Sequence, residues 1–239
     1  MIDNFVAIVP AAGRGKRLSI EIPKQFLKIG DRTILELSLK PLLDFSECLK
    51  ICVVLEPNDE YHKSIELLQN PLVSLINGGN TRMESVKAAI NHFERTKLPY
   101  KNVLIHDAVR PCLRSSDLRL LLESQSITKV DGLVLGSLCS NTIKEVKEKN
   151  LKVIKTLDRR KLWNAFTPQI FKKEALSSAL ENNLLQGRIF TDEASLVEAN
   201  NGILKMIEGT SDNIKITFPE DINLAKSILI NQGRMEKDK

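Results

Sequence analysis

Phe5-Val6-Ala7-Ile8-Val9-Pro10-Ala11-Ala12-Gly13-Arg14-Gly15-Lys16-Arg17-Leu18, followed by Pro23-Lys24-Gln25, is the stretch on which the reading of this chain turns. The apolar run Phe5–Val9 reads as a buried β-strand. It feeds a turn of small residues with two glycines and the basic side chains Arg14, Lys16, Arg17 and Lys24. Glycine lets a backbone approach a ligand closely and point N–H groups at it, while arginine and lysine bring the charge a polyphosphate requires. A P-loop would place Ser or Thr after its lysine, and a dinucleotide fingerprint would place a small residue at position 18; Arg17 and Leu18 exclude both. The plain alternative is an ordinary strand-to-helix turn with solvated charges.

Outward from that strand, apolar runs alternate with amphipathic ones. Strands are expected at Leu49–Leu55, Val73–Asn77, Asn102–His106 and Gly132–Ser137. Helices are expected at Thr33–Leu43, Asn58–Leu68, Thr81–Phe93 and Ser115–Gln125, with Thr81 and Glu84 spaced as a capping box. Such alternation implies right-handed βαβ units and a mostly parallel sheet covered on both faces, whose ligands lie beyond the carboxyl ends of the strands. Three motifs fall at such ends: the Gly13 loop, Gly78-Gly79-Asn80-Thr81-Arg82, and His106-Asp107-Ala108-Val109-Arg110-Pro111. Their convergence says more than any one of them.

The alternation stops at Asn141–Thr156. Two strand-like runs, Thr142–Val146 and Leu151–Thr156, flank a turn at Lys147–Asn150, a hairpin too polar for a core. A lone two-stranded hairpin is marginal in water, so it should pack on something else, most simply a second copy of the chain. Helices then follow near Lys173–Asn182 and Thr191–Asn200. Strands are expected at Leu204–Glu208 and Lys215–Thr217, and a last helix is capped by Thr217 and Glu220 with Pro219 in its first turn.

The 239 residues suffice for one α/β domain, and 42% hydrophobic with 27% charged residues fits a globular protein. No apolar run nears the roughly 20 residues of a membrane span. The N-terminus lacks a basic n-region, and four scattered cysteines form no Cys-x-x-Cys pair, which together suggest a reducing, cytoplasmic setting. The net charge of +5 invites a nucleic-acid reading, but there is no Lys/Arg tract and only 5% aromatic residues.

If the Gly13 loop holds a nucleoside triphosphate, transfer to a phosphate or hydroxyl acceptor needs no enzyme nucleophile. The barrier is charge on the phosphoryl oxygens and the leaving pyrophosphate, which positioning, cations and a metal ion lower. Arg17 and Lys24 are the obvious cations. Asp107, directly after a buried strand, requires a partner: either Arg110 or a hard cation such as magnesium. His106 reads as a strand-end hydrogen-bonder, His92 as a helix-surface residue, and Cys48 and Cys52 as core-facing.

Taken together, the motifs resemble the 2-C-methyl-D-erythritol 4-phosphate cytidylyltransferase family from about Ala7 to Leu229. The likeness rests on Pro10-Ala11-Ala12-Gly13-x-Gly15-x-Arg17, Pro23-Lys24-Gln25, Gly78-Gly79-x-Thr81-Arg82-x-x-Ser85 and His106–Pro111. It continues through Asn141–Lys144, Asp158-Arg159, Leu162-Trp163, Thr167-Pro168-Gln169, Thr191–Ser195 and Asp212–Lys215. The resemblance implies a Rossmann-like three-layer nucleotidyltransferase fold as a single domain. Residues 138–160 would form a projecting β-arm that joins a homodimer. The implied reaction joins CTP and methylerythritol phosphate, with Mg2+, to give the CDP-alcohol and pyrophosphate. Ala11, Ala12 and Gly13 would wrap the phosphates, Arg17 and Lys24 would stabilise the transition state, and Lys215 would touch the triphosphate. Gly79, Asn80 and Ser85 would read cytosine and ribose, although some members carry Asp where this chain has Asn80. Asp107 would bind the metal. Arg110, Thr167, Thr191 and Asp212, with Thr142 and Arg159 from the partner's arm, would hold the acceptor. Ribitol-5-phosphate cytidylyltransferases share the loop and the Asp-Ala-Val-Arg-Pro segment, but Ala11-Ala12-Gly13, Leu162-Trp163 and Asp212 favour the methylerythritol family. The remaining alternative is a nucleotide-binding regulator without catalysis.

Overall fold

Strand β1 (Phe5–Pro10) is buried along Phe5–Val9 and alternates its side chains between two hydrophobic cores. Phe5, Ala7 and Val9 enter one core and Val6 and Ile8 the other, as the two-residue period of a strand requires. This is the computed structural model of the chain, and it describes residues 2–13, 22–184 and 190–236. Two-residue strands β2 (Lys28–Ile29) and β3 (Arg32–Thr33) lead into helix α1 (Ile34–Leu43), started by a Thr33/Glu36 capping box. Then come β4 (Cys48–Leu55), β5 (Val73–Asn77), α2 (Arg82–Thr96), β6 (Asn102–Ile105), α3 (Ser115–Ile127) and β7 (Gly132–Leu138). The chain continues through β8 (Lys144–Val146), β9 (Val153–Thr156), β10 (Trp163–Lys172), α4 (Lys173–Leu184), α5 (Glu193–Ala199), β11 (Leu204–Glu208) and α6 (Glu220–Asn231).

The main sheet has seven strands in the order β11-β7-β10-β6-β1-β4-β5. All neighbours pair in parallel except β10, which runs antiparallel to both β6 and β7. Helices α1 and α3 cover one face through Leu35, Leu39, Leu118 and Leu122. Helices α2, α4 and α5 cover the other through Val86, Phe93, Leu176 and Val197. This is the three-layer α/β arrangement expected. Helix α6 closes a third, smaller core with Ala225 and Leu229 against Ile34, Val109 and Ile216.

Several expected elements differ. Residues Asn58–Leu68 form short 3-10 turns at Tyr61–Ser64 and Glu66–Gln69, not a helix. Asn58 has φ 70°, and Asp59 Oδ1 accepts from the His62 backbone N–H (3.0 Å), so local side-chain bonding displaces helical bonding. Lys215–Thr217 joins no ladder; Ile216 spends its N–H singly on Val109 O (2.9 Å). At α6 the expected cap is reversed: the Asp221 carboxylate accepts from the N–H groups of Thr217 and Phe218, and Pro219 stands at the N-cap. His92 is half-buried and packs edge-on to Phe93. Cys48 and Cys52 are buried, as read. Strand β10, which no sequence pattern announced, is central.

The hairpin lies where it was expected, with Lys144 opposite Thr156 and Val146 opposite Val153. Every residue of β8 and β9 is exposed, and Val146, Leu151, Val153 and Ile154 present apolar surface that this chain does not cover.

Candidate active site

At the carboxyl end of β1 the chain leaves the sheet as Ala11-Ala12-Gly13. Ala11 donates its N–H to Val54 O (2.7 Å) and accepts the Gln25 side-chain amide on its carbonyl (2.6 Å). Gln25 is buried, so its role within Pro23-Lys24-Gln25 is to hold the loop. Its neighbour Lys24 donates to Ile216 O (2.9 Å), tying the loop to the segment that carries Lys215.

Beyond β5, Gly78 lets the start of α2 approach that loop. A Cβ there would stand 2.7 Å from Ser85 Oγ and 3.1 Å from the Cβ of Ala12. The Thr81/Glu84 capping box forms in both directions. The Ser85 hydroxyl accepts from Gly79 N–H and donates to Thr81 O. These segments enclose a cleft of about 330 Å³ lined by Ala11, Ala12, Gly13, Lys24, Gly79, Asn80, Ser85, Asp107 and Lys215 among others.

Asp107 follows β6 and is a buried hub. Its Oδ1 accepts from Arg82 Nη1 (2.9 Å), and its Oδ2 from Lys215 Nζ (2.9 Å) and Arg110 Nε (3.2 Å). Its backbone N–H donates to Thr167 Oγ1 (2.9 Å), a contact available because the antiparallel β10 brings Thr167 beside the end of β6. Burial alone would raise the Asp107 pKa, but Arg82, Lys215 and Arg110 outweigh it and hold the carboxyl well below the usual carboxylate range. His106 is fully buried with Nδ1 3.1 Å from Thr167 Oγ1. Burial, with Arg110 adding to it, pushes its pKa down to about 4, so it is neutral near pH 7.

A second cavity of about 210 Å³ adjoins the first. It is lined by Arg110, Phe166, Thr167, Thr191 and Asp192, and it shares Arg82, Asp107 and Lys215 with the cleft. Two compartments thus meet at one cationic partition. Gln169 secures the far wall by donating to Asp192 Oδ2 (2.8 Å) and accepting from Ala194 N–H (3.0 Å). Asn213 secures the floor, donating to Thr167 O and accepting from Arg110.

Most of the expected site residues converge here. Three do not. Asp212 pairs with Arg114 and lines neither cavity, because the guanidinium at the start of α3 engages its carboxylate. Thr142 and Arg159 lie exposed on the arm, Arg159 donating to Ser140 O. Arg17 lies outside the described residues. Sequence reasoning quoted Arg82, Gln25, Gln169, Glu193 and Asn213 within motifs but assigned them no role; their burial and pairing were not visible there.

A cleft at the carboxyl edge of a mostly parallel sheet, with a basic partition leading to a second pocket, is the arrangement of a Rossmann-like nucleotidyltransferase. Residues 5–231 match the family model for 2-C-methyl-D-erythritol 4-phosphate cytidylyltransferase. The Salmonella arizonae enzyme of that name is 38% identical over 98% of this chain and 97% of its own length. The Francisella tularensis structure of that name superposes with a TM-score of 0.73 at 31% identity, over 95% of this chain and all of that one. The Anaerococcus prevotii 4-diphosphocytidyl-2C-methyl-D-erythritol synthase gives 0.80 at 26% identity, over 95% and 96% of the two chains. The chain belongs to the 2-C-methyl-D-erythritol 4-phosphate cytidylyltransferase family.

Proposed function

We propose that this chain transfers a cytidylyl group from CTP to 2-C-methyl-D-erythritol 4-phosphate in non-mevalonate isoprenoid synthesis. The observation that carries the reading is the pair of cavities meeting at Arg82, Asp107 and Lys215. CTP occupies the larger one, its triphosphate along Ala11–Gly13 and its base and ribose against Gly79, Asn80 and Ser85. The acceptor occupies the smaller one, its phosphate drawn to Arg110 and its hydroxyls to Thr167 and Thr191.

An acceptor phosphate oxygen then forms a bond to the α-phosphorus of CTP as the bond to the β-phosphate oxygen breaks, and pyrophosphate leaves. Lys24 and Arg17 stabilise the charge that grows on the phosphoryl oxygens, and Lys215 that on the departing pyrophosphate. No protein nucleophile is needed. His106, neutral and buried, serves only to orient Thr167.

Magnesium suits this donor set: Asp107 is one ionised hard oxygen ligand, and magnesium favours one or two carboxylates with phosphate oxygens and water. Asp107 is a single carboxylate at this position, so phosphate oxygens of the nucleotide and water would supply the other ligands. Bound there, the ion would neutralise triphosphate charge.

The arm's uncovered apolar residues and its polar remainder support a homodimer in which Thr142 and Arg159 reach the partner's acceptor pocket. Cysteines left free, three of them buried, suit the cytoplasm. No described helix is long and apolar enough to cross a membrane. The deciding assay follows pyrophosphate release with CTP, magnesium and either methylerythritol phosphate or ribitol phosphate. Turnover with the first is expected; turnover with ribitol phosphate alone reassigns the acceptor, and CTP binding without turnover makes the chain a regulator.

A further inference from the structure

Glu193 opens α5 directly after Thr191 and Asp192, which line the acceptor cavity. Its side chain is 4% exposed and lies off the path of the reaction described above. It grips Arg82 with both oxygens, Oε1 to Nε at 2.8 Å and Oε2 to Nη2 at 2.9 Å. The remaining guanidinium nitrogen, Nη1, is thereby directed at Asp107 Oδ1. Glu193 is itself held firmly, since Gln169 accepts from the Ala194 N–H and donates to Asp192.

Arg82 lines both cavities, so its orientation matters to both substrates. Arg82, Arg110 and Lys215 set against Asp107 and Glu193 leave a single net positive charge at the partition. We propose that Glu193 is a positioning residue: it holds Arg82 on Asp107 and keeps that guanidinium from collapsing onto the triphosphate in the ground state. Binding energy spent on the ground state does not raise turnover. Releasing Arg82 therefore tightens CTP binding and slows the reaction, a split that simple loss of structure does not produce.

The proposal deepens the cytidylyl-transfer reading and rests on it. Its test compares wild type, Glu193→Gln, Arg82→Met and the double variant. It records kcat per folded molecule, the thermal midpoint, and metal-free CTP affinity by calorimetry. Glu193→Gln is expected to lower kcat about tenfold to a hundredfold, the scale of a small misplacement of a catalytic group. It should also tighten CTP binding about threefold or more, from the charge it uncovers. In the Arg82→Met background the same change should alter kcat less than about twofold, since groups acting as a unit are not additive. Weaker CTP binding in Glu193→Gln, an unchanged kcat, or losses that multiply in the double variant would each overturn the proposal. Should Glu193→Gln fail to fold, Glu193→Asp keeps the charge but reaches only one nitrogen, and full kcat in it is the overturning result. An inactive wild type refutes the transfer reading itself, whereas the CTP titration still reports on Glu193.

Discussion

Lys24 stands at the mouth of the cleft with its ammonium on Ile216 O, one residue beyond Lys215. Its charge is poised between the two segments that would flank a triphosphate. Lys24→Ala should lower kcat about a hundredfold or more, the usual loss on removing one donor to a developing oxyanion, while the CTP dissociation constant changes less than about tenfold. Steady-state rates read beside a CTP titration decide it; equal losses in both would make Lys24 a binding group only. The cysteines give an independent check of packing. Burial pushes Cys48, Cys52 and Cys112 up to about 12, and Cys139 is the one thiol of the four that is partly exposed. A thiol-reactive disulfide at pH 8 should therefore label one cysteine in the native protein and four after denaturation. Rapid labelling of Cys48 or Cys52 would contradict the packing of β1 against β4, and that of Cys112 the packing of α6. At this scale the sequence showed which side chains carry charge but, Arg110 beside Asp107 apart, not with whom they pair. Asp107 could be read as needing a cation; that Arg82 and Lys215 join Arg110 on it, and that Arg114 draws Asp212 aside, depends on contacts between segments distant in the chain.

Among elements, the strand-end turns were legible because Gly78-Gly79 and Thr81/Glu84 announce them by local chemistry. The first of these glycines is required for closeness rather than for an unusual backbone angle. Gly78→Ala would place a methyl 3.1 Å from Val54 Cγ1 as well as from Ala12, and 2.7 Å from Ser85 Oγ. Overpacking of this kind costs about 1–3 kcal/mol. Because two of the displaced neighbours, Ala12 and Ser85, line the cleft, CTP affinity should fall about tenfold, as calorimetry can read; an unchanged affinity with a lowered thermal midpoint would separate Gly78 from the nucleotide. Strand β10 was illegible for a definite reason. Pro168 interrupts it, and proline cannot supply a ladder N–H in the middle of a sheet. The strand tolerates it because its pairing with β7 is irregular between Ala165 and Gln169, where Thr167 and Pro168 stand. Asn58–Leu68 misled in the other direction: its apolar spacing is helical, but Asp59 bonds to its own backbone neighbourhood first.

For the whole molecule, the alternation of strands and helices established a parallel sheet, and the sheet established where ligands gather. What stayed hidden was the single reversed strand that makes room for a second pocket beside the first. The arm projects from that same strand, and its exposed Leu151, Val153 and Ile154 call for a cover. Removal of Thr142–Thr156 should convert the proposed dimer to a monomer in sedimentation and raise the KM for the acceptor about tenfold or more, with the CTP dissociation constant within about threefold. A deletion variant that stays dimeric with normal acceptor KM would detach the arm from both roles.

The arm departs from Leu138 and returns at Trp163, and these two residues are partners in the register of β7 and β10. Cys139 N–H and Leu162 O extend the same pairing one step further (3.0 Å). The whole excursion is therefore an insertion into the turn of an antiparallel hairpin whose ends the sheet already holds together. Closing such a loop costs only about 0.6 kcal/mol for each doubling of its length. The sheet itself therefore sets no particular length for it. The arm is thus tethered at a single point that β7 and β10 already close, and a deletion between Thr142 and Thr156 leaves the pairing of Leu138 with Trp163 in place.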